Sequence, residues 1–370
     1  MVHEAQGQMV QEVAAGGLPA PPSRYVLKEE HRPTSTGGTA APELLAFPTV
    51  DVQRLGEPGD VEETGKLRSA LSSWGLFKVT GHGMPTALLD GIRDAGMEFF
   101  HLPPEEKLRH ANRTEDGEFQ PEGYGIDRVD TDEQVLDWCD RLYLTVQPEE
   151  ERRMQFWPAP LAPLLHEYTQ GSEQVARRVL RGMARALGFG EEFFLGHVGE
   201  RGGTGARFTY YPPCPRPDLV YGLKPHTDNS VVTVLLLDRD VGGLQVLLRG
   251  EGGDGGRWVD VPVLGRDELL VVVGEVVEIT SNAAFRAPTH RVVASGRERM
   301  SLSVFYQPEP YRDLGPAEEL VGDDHPAMYR KLKAKTFADG FLDAFALGER
   351  TIDFLKVGRQ QELQEAAGVV

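Results

Sequence analysis

The sequence has few cysteines and no long hydrophobic run. Cys139 and Cys214 are its only cysteines, so neither a disulfide framework nor a zinc site built on cysteines is possible. The longest apolar stretch is interrupted at Gly274, Glu275 and Glu278, which leaves it too short for a membrane span. The amino terminus carries early acidic residues and lacks the apolar core of a secretory signal. We expect a soluble protein of the reducing cytoplasm.

Positive charge is also scarce. The 370 residues include 39 lysines and arginines against 57 aspartates and glutamates, a net charge of −18. This balance argues against a nucleic-acid or anionic-membrane surface, because phosphate contacts need clustered cations. We therefore expect neither a nucleic-acid nor a membrane partner. Separately, we expect the chain to be a monomer that acts on a small molecule. The hydrophobic content of 40% is enough for a full core, and 42 glycines with 26 prolines indicate many short strands joined by turns.

Composition and periodicity divide the chain into four parts. The predicted parts are a flexible amino-terminal arm (residues 1–45), a mainly helical domain (46–200), a strand-rich domain (201–312), and carboxyl-terminal helices with a tail (313–370). Apolar residues repeat every four positions from Val175 to Leu187, which predicts a long amphipathic helix. A further helix is predicted over residues 326–347. The pattern as a whole indicates an α+β protein.

Short apolar runs begin near Arg207 and are separated by glycine, proline and aspartate. Their length and spacing predict strands of a sandwich or a jelly roll. The predicted strands cover residues 207–211, 231–237, 244–248, 258–261, 269–273, 276–280, 291–294 and 300–307.

Two histidines and an aspartate in this region have the spacing of a metal site. Side chains two positions apart point to the same face of a strand, so His226 and Asp228 can reach one ion. His290 lies where another strand is predicted to begin. Two imidazoles and one carboxylate, with no thiolate, match the facial triad that holds non-haem iron(II) and leaves open positions for substrate and dioxygen. A lone His-x-Asp is a weak signal, and the alternative interpretation is a surface turn or a histidine whose hydrogen bonds are satisfied.

A possible carboxylate clamp lies on the predicted strand after His290. Alternation places Arg299, Ser301, Ser303, Phe305 and Gln307 on one face. A guanidinium matches the geometry of a carboxylate, and a hydroxyl adds another donor. The alternative interpretation is a surface arginine among ordinary serines.

The strand at residues 207–211 supplies a third group. Arg207, Thr209 and Tyr211 share one face of it, so the Tyr211 hydroxyl can enter the same pocket. Phe208 and Tyr210 share the other face, where packing in the core is expected.

The motifs described above, together with others along the chain, resemble in type and order those of the plant 2-oxoglutarate- and iron(II)-dependent dioxygenases. The resemblance extends roughly from Phe47 to Tyr311. It implies a distorted double-stranded β-helix, or jelly-roll, core with a helical amino-terminal domain and carboxyl-terminal helices. The shared motifs include Trp74-Gly75-Leu76-Phe77, Gly81-His82-Gly83, Tyr210-Tyr211-Pro212-Pro213-Cys214-Pro215, His226-Thr227-Asp228, Gly243-Leu244-Gln245-Val246, Trp258-Val259-Asp260-Val261, Ser281-Asn282, His290-Arg291-Val292-Val293 and Arg299-Met300-Ser301.

The resemblance also assigns roles by position. The implied sets are the iron ligands His226, Asp228 and His290, the 2-oxoglutarate contacts Arg299, Ser301, Tyr211 and Thr209, and the substrate contacts Phe305, Gln307 and Arg207. Thr209 stands where many relatives have asparagine, and Glu275 and Phe285 replace a frequent aspartate and tyrosine. The glycine-rich hairpin at residues 249–257 is longer than usual, and we interpret it as a flexible loop.

The activity implied by the resemblance is hydroxylation, or another oxidation, of a mid-sized metabolite or xenobiotic. It would use Fe(II), 2-oxoglutarate and O2, with ascorbate as a reductant, and release succinate and CO2. Two alternatives share the fold: an ascorbate-dependent oxidase that does not use 2-oxoglutarate, and a catalytically inactive barrel that only binds. A zinc hydrolase would have no use for Arg299 and Ser301. The segment at residues 21–26 resembles the cereal branch that includes a detoxifier of triketone herbicides, which favours specialised metabolism or detoxification.

Overall fold

Two main β-sheets, a short two-stranded sheet and the helices around them make up the described part of the molecule. The computed structural model describes residues 8–33, 47–57, 59–113, 117–248 and 256–358. The α-helices in these ranges are α1 (Val10–Ala15), α2 (Val52–Leu55), α3 (Val61–Ser73), α4 (Thr86–His101), α5 (Pro104–Lys107), α6 (Leu161–Ala186), α7 (Phe193–Val198), α8 (Glu275–Thr280), α9 (Ala334–Asp339) and α10 (Phe341–Leu347). The strands are β1 (Thr49–Asp51), β2 (Leu76–Thr80), β3 (Gly123–Gly125), β4 (Asp140–Gln147), β5 (Thr204–Tyr211), β6 (Tyr221–His226), β7 (Val232–Leu236), β8 (Leu244–Leu248), β9 (Arg257–Asp260), β10 (Leu269–Val273), β11 (His290–Val293), β12 (Arg299–Tyr306), β13 (Asp313–Leu314) and β14 (Leu332–Lys333).

The helices of the amino-terminal half follow from local sequence signals. The Asp60 side chain accepts a hydrogen bond from the Glu63 backbone N–H at 2.9 Å and so caps the start of α3. Gly75 follows α3 with φ of 71°, a conformation that favours glycine. A Cβ at this position would also lie only 2.7 Å from the Arg286 backbone oxygen, so no larger residue fits without a shift.

The longest helix, α6, covers the outer face of the main sheet. Leu165, Tyr168, Val175, Val179 and Met183 recur three, four or seven positions apart, and all five are buried. The helix packs against α3, α4 and strands of the main sheet, including β7 and β12. The amphipathic helix predicted from residues 175–187 is therefore confirmed, and it starts earlier than the pattern indicated.

The two main sheets face each other and enclose the interior of the jelly roll. The larger sheet has eight strands in the order β1-β2-β10-β7-β12-β5-β4-β3, and the smaller has four in the order β6-β11-β8-β9. One apolar cluster joins their inner faces, with Leu235 and Val272 from the large sheet and Leu223 and Leu244 from the small one. The expected α+β jelly-roll architecture is confirmed, and a space lined by both sheets remains at one end.

The structure differs from the sequence expectations in three places. Residues 276–280, predicted as a strand, lie in α8, where every side chain is buried. A short, fully buried apolar run has the same composition in a strand as in a helix, so periodicity could not separate them. The single helix predicted over residues 326–347 is instead β14 followed by α9 and α10, with a break at Gly340.

The third difference concerns the arm at residues 1–45. Its described part, residues 8–33, is packed against the protein: Val10 is fully buried, and the backbone N–H groups of Val10 and Gln11 donate to the Asp140 carboxylate at 2.7 and 2.9 Å. The apolar side chains in this segment are numerous enough to pack on the core despite its polar composition. Most of the predicted loop at residues 249–257 falls outside the described residues.

Candidate functional site

Three side chains that are distant in sequence converge at one end of the jelly roll. His226 ends β6, Asp228 lies in the loop after it, and His290 begins β11, directly opposite His226 in the strand register. The Nε2 atoms of both histidines lie 3.6 Å from Asp228 Oδ1, and the imidazole centroids are 4.3 Å apart. All three potential ligand atoms fall within 4.8 Å of one another. One ion can contact all three.

Neighbouring polar groups fix the orientation of these side chains. His226 Nδ1 lies 2.8 Å from the Lys224 carbonyl oxygen, and His290 Nδ1 lies 3.2 Å from the Pro288 carbonyl oxygen. Because a carbonyl oxygen only accepts, each Nδ1 carries the proton and each Nε2 presents its lone pair to the site. The Thr233 hydroxyl donates to Asp228 Oδ2 at 2.6 Å, which leaves Oδ1 facing the histidines.

The environment of the pair keeps His226 neutral. Burial, followed by repulsion from the adjacent His290, lowers the pKa of His226 to about 3, although Asp228 opposes this effect. A neutral imidazole is the form that binds a metal. The arrangement is therefore ready to bind a cation at neutral pH without first losing a proton from His226.

A second group faces the same cavity from the large sheet. In the β5 and β12 register, Arg299 lies opposite Tyr211, and Ser301 lies opposite Thr209. The Arg299 guanidinium carbon lies 4.9 Å from the Tyr211 ring centroid. Burial raises the pKa of the Tyr211 hydroxyl to about 12, with Arg299 opposing this, so the hydroxyl is a neutral donor.

Arg299 is poised to bind an anion. It is 3% exposed, yet within the described residues no atom accepts a hydrogen bond from its Nε or Nη1. A buried guanidinium with unpaired donors is costly unless an acceptor is supplied. A carboxylate matches its geometry with two parallel hydrogen bonds.

Farther along β5, Arg207 belongs to a buried ion cluster. Its Nη1 and Nη2 each lie 2.9 Å from one oxygen of Asp127, and its Nε donates to the Thr209 hydroxyl at 3.0 Å. Arg141 Nε donates to the same carboxylate at 2.8 Å. Burial by itself raises the pKa of Asp127, but Arg207 and Arg141 together hold it well below its usual range. Asp127 is therefore ionised.

The cavity that these groups share has a volume of about 450 Å³. Its apolar wall comes from both sheets, for example from Leu235 and Leu244, and α10 closes one side with Phe341 and Phe345. The Phe345 ring contacts His226 edge to face, with centroids 5.5 Å apart. The carboxyl-terminal helix therefore reaches the three converging side chains and limits the access of water to them.

A buried polar network supports the loop between His226 and Asp228. The Thr227 hydroxyl donates to Glu275 Oε1 at 2.5 Å, and Arg350 lies 3.1 Å from Glu278 Oε2 and 3.4 Å from the Thr227 hydroxyl. Burial raises the pKa of Glu275 to about 8, although Thr227 and Arg350 oppose this shift. Residues after α10 are thereby tied to the loop that carries Asp228.

The structure brings every sequence-predicted site residue to this one cavity. The lining includes His226, Asp228, His290, Arg299, Ser301, Tyr211, Thr209, Phe305, Gln307 and Arg207. Sequence reasoning missed Asp127, Arg141 and Phe345. Arg141 could have been found from the alternation of polar and apolar residues in β4, whereas no local pattern marks Asp127 or Phe345 as cavity residues.

The donor set fits iron(II) together with a dicarboxylate. Two neutral imidazoles and one carboxylate are the ligands of non-haem iron(II) sites that keep open positions. The unpaired donors of Arg299, with the hydroxyls of Ser301 and Tyr211 nearby, suit the distal carboxylate of 2-oxoglutarate.

Comparisons with known proteins agree with this chemistry. A profile of the 2OG-Fe(II) oxygenase superfamily matches residues 205–308, and one for the amino-terminal part of the non-haem dioxygenase in morphine synthesis matches residues 47–160. The chain is 32% identical to oxoglutarate-dependent flavonoid 7-O-demethylase 1 of Ocimum basilicum, covering 94% of this chain and 90% of that one. It is also 32% identical to codeine O-demethylase of Papaver somniferum, over 94% and 95% of the two chains.

A solved structure supports the same relationship in three dimensions. JOX2 in complex with 2OG, Fe and JA matches with a TM-score of 0.80 and 28% identity, over 95% of this chain and 98% of that one. Such relatives favour neither an oxidase that does not use 2-oxoglutarate nor an inactive barrel. The sequence expectation of Fe(II) and 2-oxoglutarate as cofactors is confirmed. The chain belongs to the 2-oxoglutarate- and iron(II)-dependent oxygenase superfamily, and it is an oxidoreductase that acts on a small organic molecule.

Proposed function

We propose that His226, Asp228 and His290 hold the iron in this oxygenase, and that Arg299 with Ser301, Tyr211 and Thr209 holds the 2-oxoglutarate. The observation that carries this assignment is the buried Arg299 with unpaired donors, in the same cavity as three converging metal-ligand side chains. When bound, iron with 2-oxoglutarate and O2 supplies the oxidising power, and succinate and CO2 are released.

The protein's own groups position the reactants and exclude water. Arg299 would anchor the far end of 2-oxoglutarate, which directs its other end towards the metal ligands. Thr233 fixes the orientation of Asp228, and the two carbonyl oxygens hold His226 and His290 in the tautomer that binds a cation. Phe345 covers the His226 ring and shields it from solvent.

The substrate proposal rests on the size and lining of the cavity. A volume of about 450 Å³, shared with 2-oxoglutarate, leaves room for a mid-sized, partly apolar molecule. Phe305, Gln307 and Arg207 lie in the lining, as expected for substrate contacts. Relatives named for demethylation of a flavonoid and of codeine support an aromatic or polycyclic metabolite, with hydroxylation or dealkylation as the outcome.

The biological setting proposed from the sequence is plant specialised metabolism or detoxification, in a cereal-type branch of the family. Ascorbate would act as the reductant, and the enzyme would work as a cytoplasmic monomer. Cys139 and Cys214, both buried as free thiols, support a reducing compartment. Within the described ranges, no helix is both long and apolar enough to cross a membrane.

A succinate-release screen tests the proposal. The enzyme with Fe(II), 2-oxoglutarate and ascorbate is offered plant phenolics, hormones, indoles and triketones, with His226→Ala as the blank. Succinate formed in step with an oxidised product supports the proposal. An oxidised product without succinate indicates the ascorbate-dependent oxidase, and wild-type protein that fails to bind iron indicates the inactive barrel.

A further inference from the structure

One ion cluster in the substrate cavity consists of residues other than those proposed to hold iron and 2-oxoglutarate. It contains Arg207, Arg141 and Asp127, two guanidiniums and one carboxylate. Asp127 lies in the loop between β3 and β4, and Arg207 lies on the face of β5 that also carries Thr209 and Tyr211. The cluster forms part of the cavity wall, where an organic substrate must bind.

The contacts within the cluster occupy the donors of Arg207 that would recognise an anion. Both terminal nitrogens are paired with Asp127, one with each oxygen, at 2.9 Å. The third side of the guanidinium, Nε, donates to Thr209. Two parallel hydrogen bonds from one guanidinium to one carboxylate are the strong form of this interaction. A substrate carboxylate would have to displace Asp127 to obtain the same pairing.

Arg141 does not offer a replacement. Its side chain is 4% exposed, compared with 14% for Arg207 and 20% for Asp127. Its Nε donates to Asp127 and its Nη1 to the Pro121 carbonyl oxygen. Arg141 therefore presents little surface to a ligand.

The position of Asp127 is supported from the other side of the cavity. The next residue, Arg128, pairs with Asp343 of α10 at 2.5 Å. This contact joins the loop that carries Asp127 to the helix that closes the cavity. Asp127 is thus held at the wall by two guanidiniums and by the anchoring of its own loop.

We propose that Asp127 determines the charge preference of the substrate site: its carboxylate takes the place of a substrate anion on Arg207, so that the cavity selects uncharged substrates. This inference rests on the proposed function, since it assigns the substrate class of the same cavity. Specificity is a difference of affinities, and a built-in competitor lowers the affinity for carboxylates more than for neutral molecules of equal shape. The remaining donors of Arg207 suit a single carbonyl, ether or hydroxyl oxygen.

Two variants distinguish the effect of Asp127 occupying Arg207 from the effect of the net charge of the cluster. Asp127→Asn breaks the bidentate pairing with Arg207, because an amide has only one acceptor oxygen, but it changes the charge of the cluster from +1 to +2. The double variant Asp127→Asn with Arg141→Met also breaks this pairing and keeps the charge at +1, so it avoids two uncompensated buried cations. Asp132→Asn is the control, since it removes one negative charge from an exposed side chain in the same loop.

The test is calorimetric binding of acid and amide pairs with the same carbon skeleton. The probes are 1-naphthylacetate with 1-naphthylacetamide, and 3-phenylpropionate with 3-phenylpropionamide. Each full-length protein is first saturated with Mn(II) and N-oxalylglycine, so that Arg299 is occupied and the acids cannot bind there. The quantity compared between proteins is the ratio of acid affinity to amide affinity.

We expect this ratio to rise at least about tenfold in both Asp127 variants, because a charge-assisted pair replaces a single neutral contact, and to stay unchanged in Asp132→Asn. A ratio that stays constant in both Asp127 variants overturns the proposal. A rise in the single variant alone also overturns it, because the net charge of the cluster would then explain the change. Failure of every protein to bind any probe also overturns it. Binding of N-oxalylglycine to the wild type, and its loss in Arg299→Ala, tests the proposed function separately.

Discussion

The imidazole rings of His226 and His290 lie 4.3 Å apart because the residues are direct partners in the antiparallel pairing of β6 and β11. Asp228 completes the group from the loop after β6, at 3.6 Å from both Nε2 atoms. The site is thus built on strand pairing, which holds side chains more rigidly than a loop would.

His226→Ala removes one of these three groups. We expect the affinity for Fe(II) or Mn(II) to fall by more than about 100-fold, since even indirect contacts to metal ligands are worth 10- to 100-fold. Equilibrium dialysis under nitrogen measures this. His325→Ala, at an exposed histidine, is the control and should bind metal like the wild type. Equal metal binding by His226→Ala would exclude this residue as a ligand.

Arg299→Ala removes the buried guanidinium that faces the cavity. We expect 2-oxoglutarate binding to weaken by at least about 100-fold, because a charge-assisted bidentate contact is lost, while metal affinity stays within about twofold. Arg299→Lys keeps the charge but cannot make two parallel hydrogen bonds, so its affinity for 2-oxoglutarate should lie between those of the wild type and Arg299→Ala. Calorimetric titration of 2-oxoglutarate into the Mn(II) protein measures all three. Undiminished binding by Arg299→Ala would place the cosubstrate elsewhere.

Arg350→Met removes the cation between Glu275 and Glu278. The buried Glu278 would then lose its cationic partner, and we expect a loss of roughly 3–5 kcal/mol in the free energy of unfolding. Glu278→Gln in the same chain should restore part of this loss, and Arg297→Met, at an exposed site, should cost little. Urea denaturation measures each variant. A loss in Arg350→Met no larger than in Arg297→Met would contradict the role of the network.

Asp140 is expected to make the free energy of unfolding depend on pH. Burial raises its pKa from 3.8 to about 7, although the backbone N–H groups of Gln11 and Val10 oppose this. At a pH between 3.8, the pKa of an unperturbed aspartate, and about 7, the pKa in the folded state, the folded protein holds a proton that the unfolded chain has lost. The free energy of unfolding therefore decreases as the pH rises through this window. The free energy of unfolding falls by at most about 1.4 kcal/mol for each pH unit within it.

Asp140→Asn should abolish that contribution. Denaturation of both proteins from pH 4 to pH 8 should show the wild type losing stability relative to the variant as the pH increases, with no further change above about 7. Asp130→Asn serves as the control for removal of an exposed aspartate. Parallel curves for wild type and Asp140→Asn would show that Asp140 has an ordinary pKa in the folded state.

Much of the candidate site could be predicted because its residues follow short-range patterns. Arg299, Ser301 and Phe305 alternate along a single strand, and this period places them on one face before any tertiary contact is known. Seven of the eight predicted strands match observed strands to within three residues for the same reason, whereas β6 (Tyr221–His226) was not predicted. Residues 276–280 were mispredicted because their environment, which is buried on all sides, removes the polar face that periodicity needs.

Other site residues have no local signal. Asp127 is part of the cavity only because its loop brings the carboxylate to Arg141 of β4 and Arg207 of β5. Phe345 reaches His226 because α10 folds back over the open end of the sheets. Both contacts join residues far apart in the chain, and each depends on the path of the connecting loops.

The sequence by itself determined the residue types of the proposed iron triad and the alternation that brings the proposed carboxylate clamp onto one face of a strand. It did so because the side-chain period of a strand is a local property of the backbone. Only the tertiary structure decided that Asp127 occupies Arg207 and that a carboxyl-terminal helix covers His226. Those arrangements arise from strand pairing and loop packing over long distances in the chain, for which no short-range rule exists.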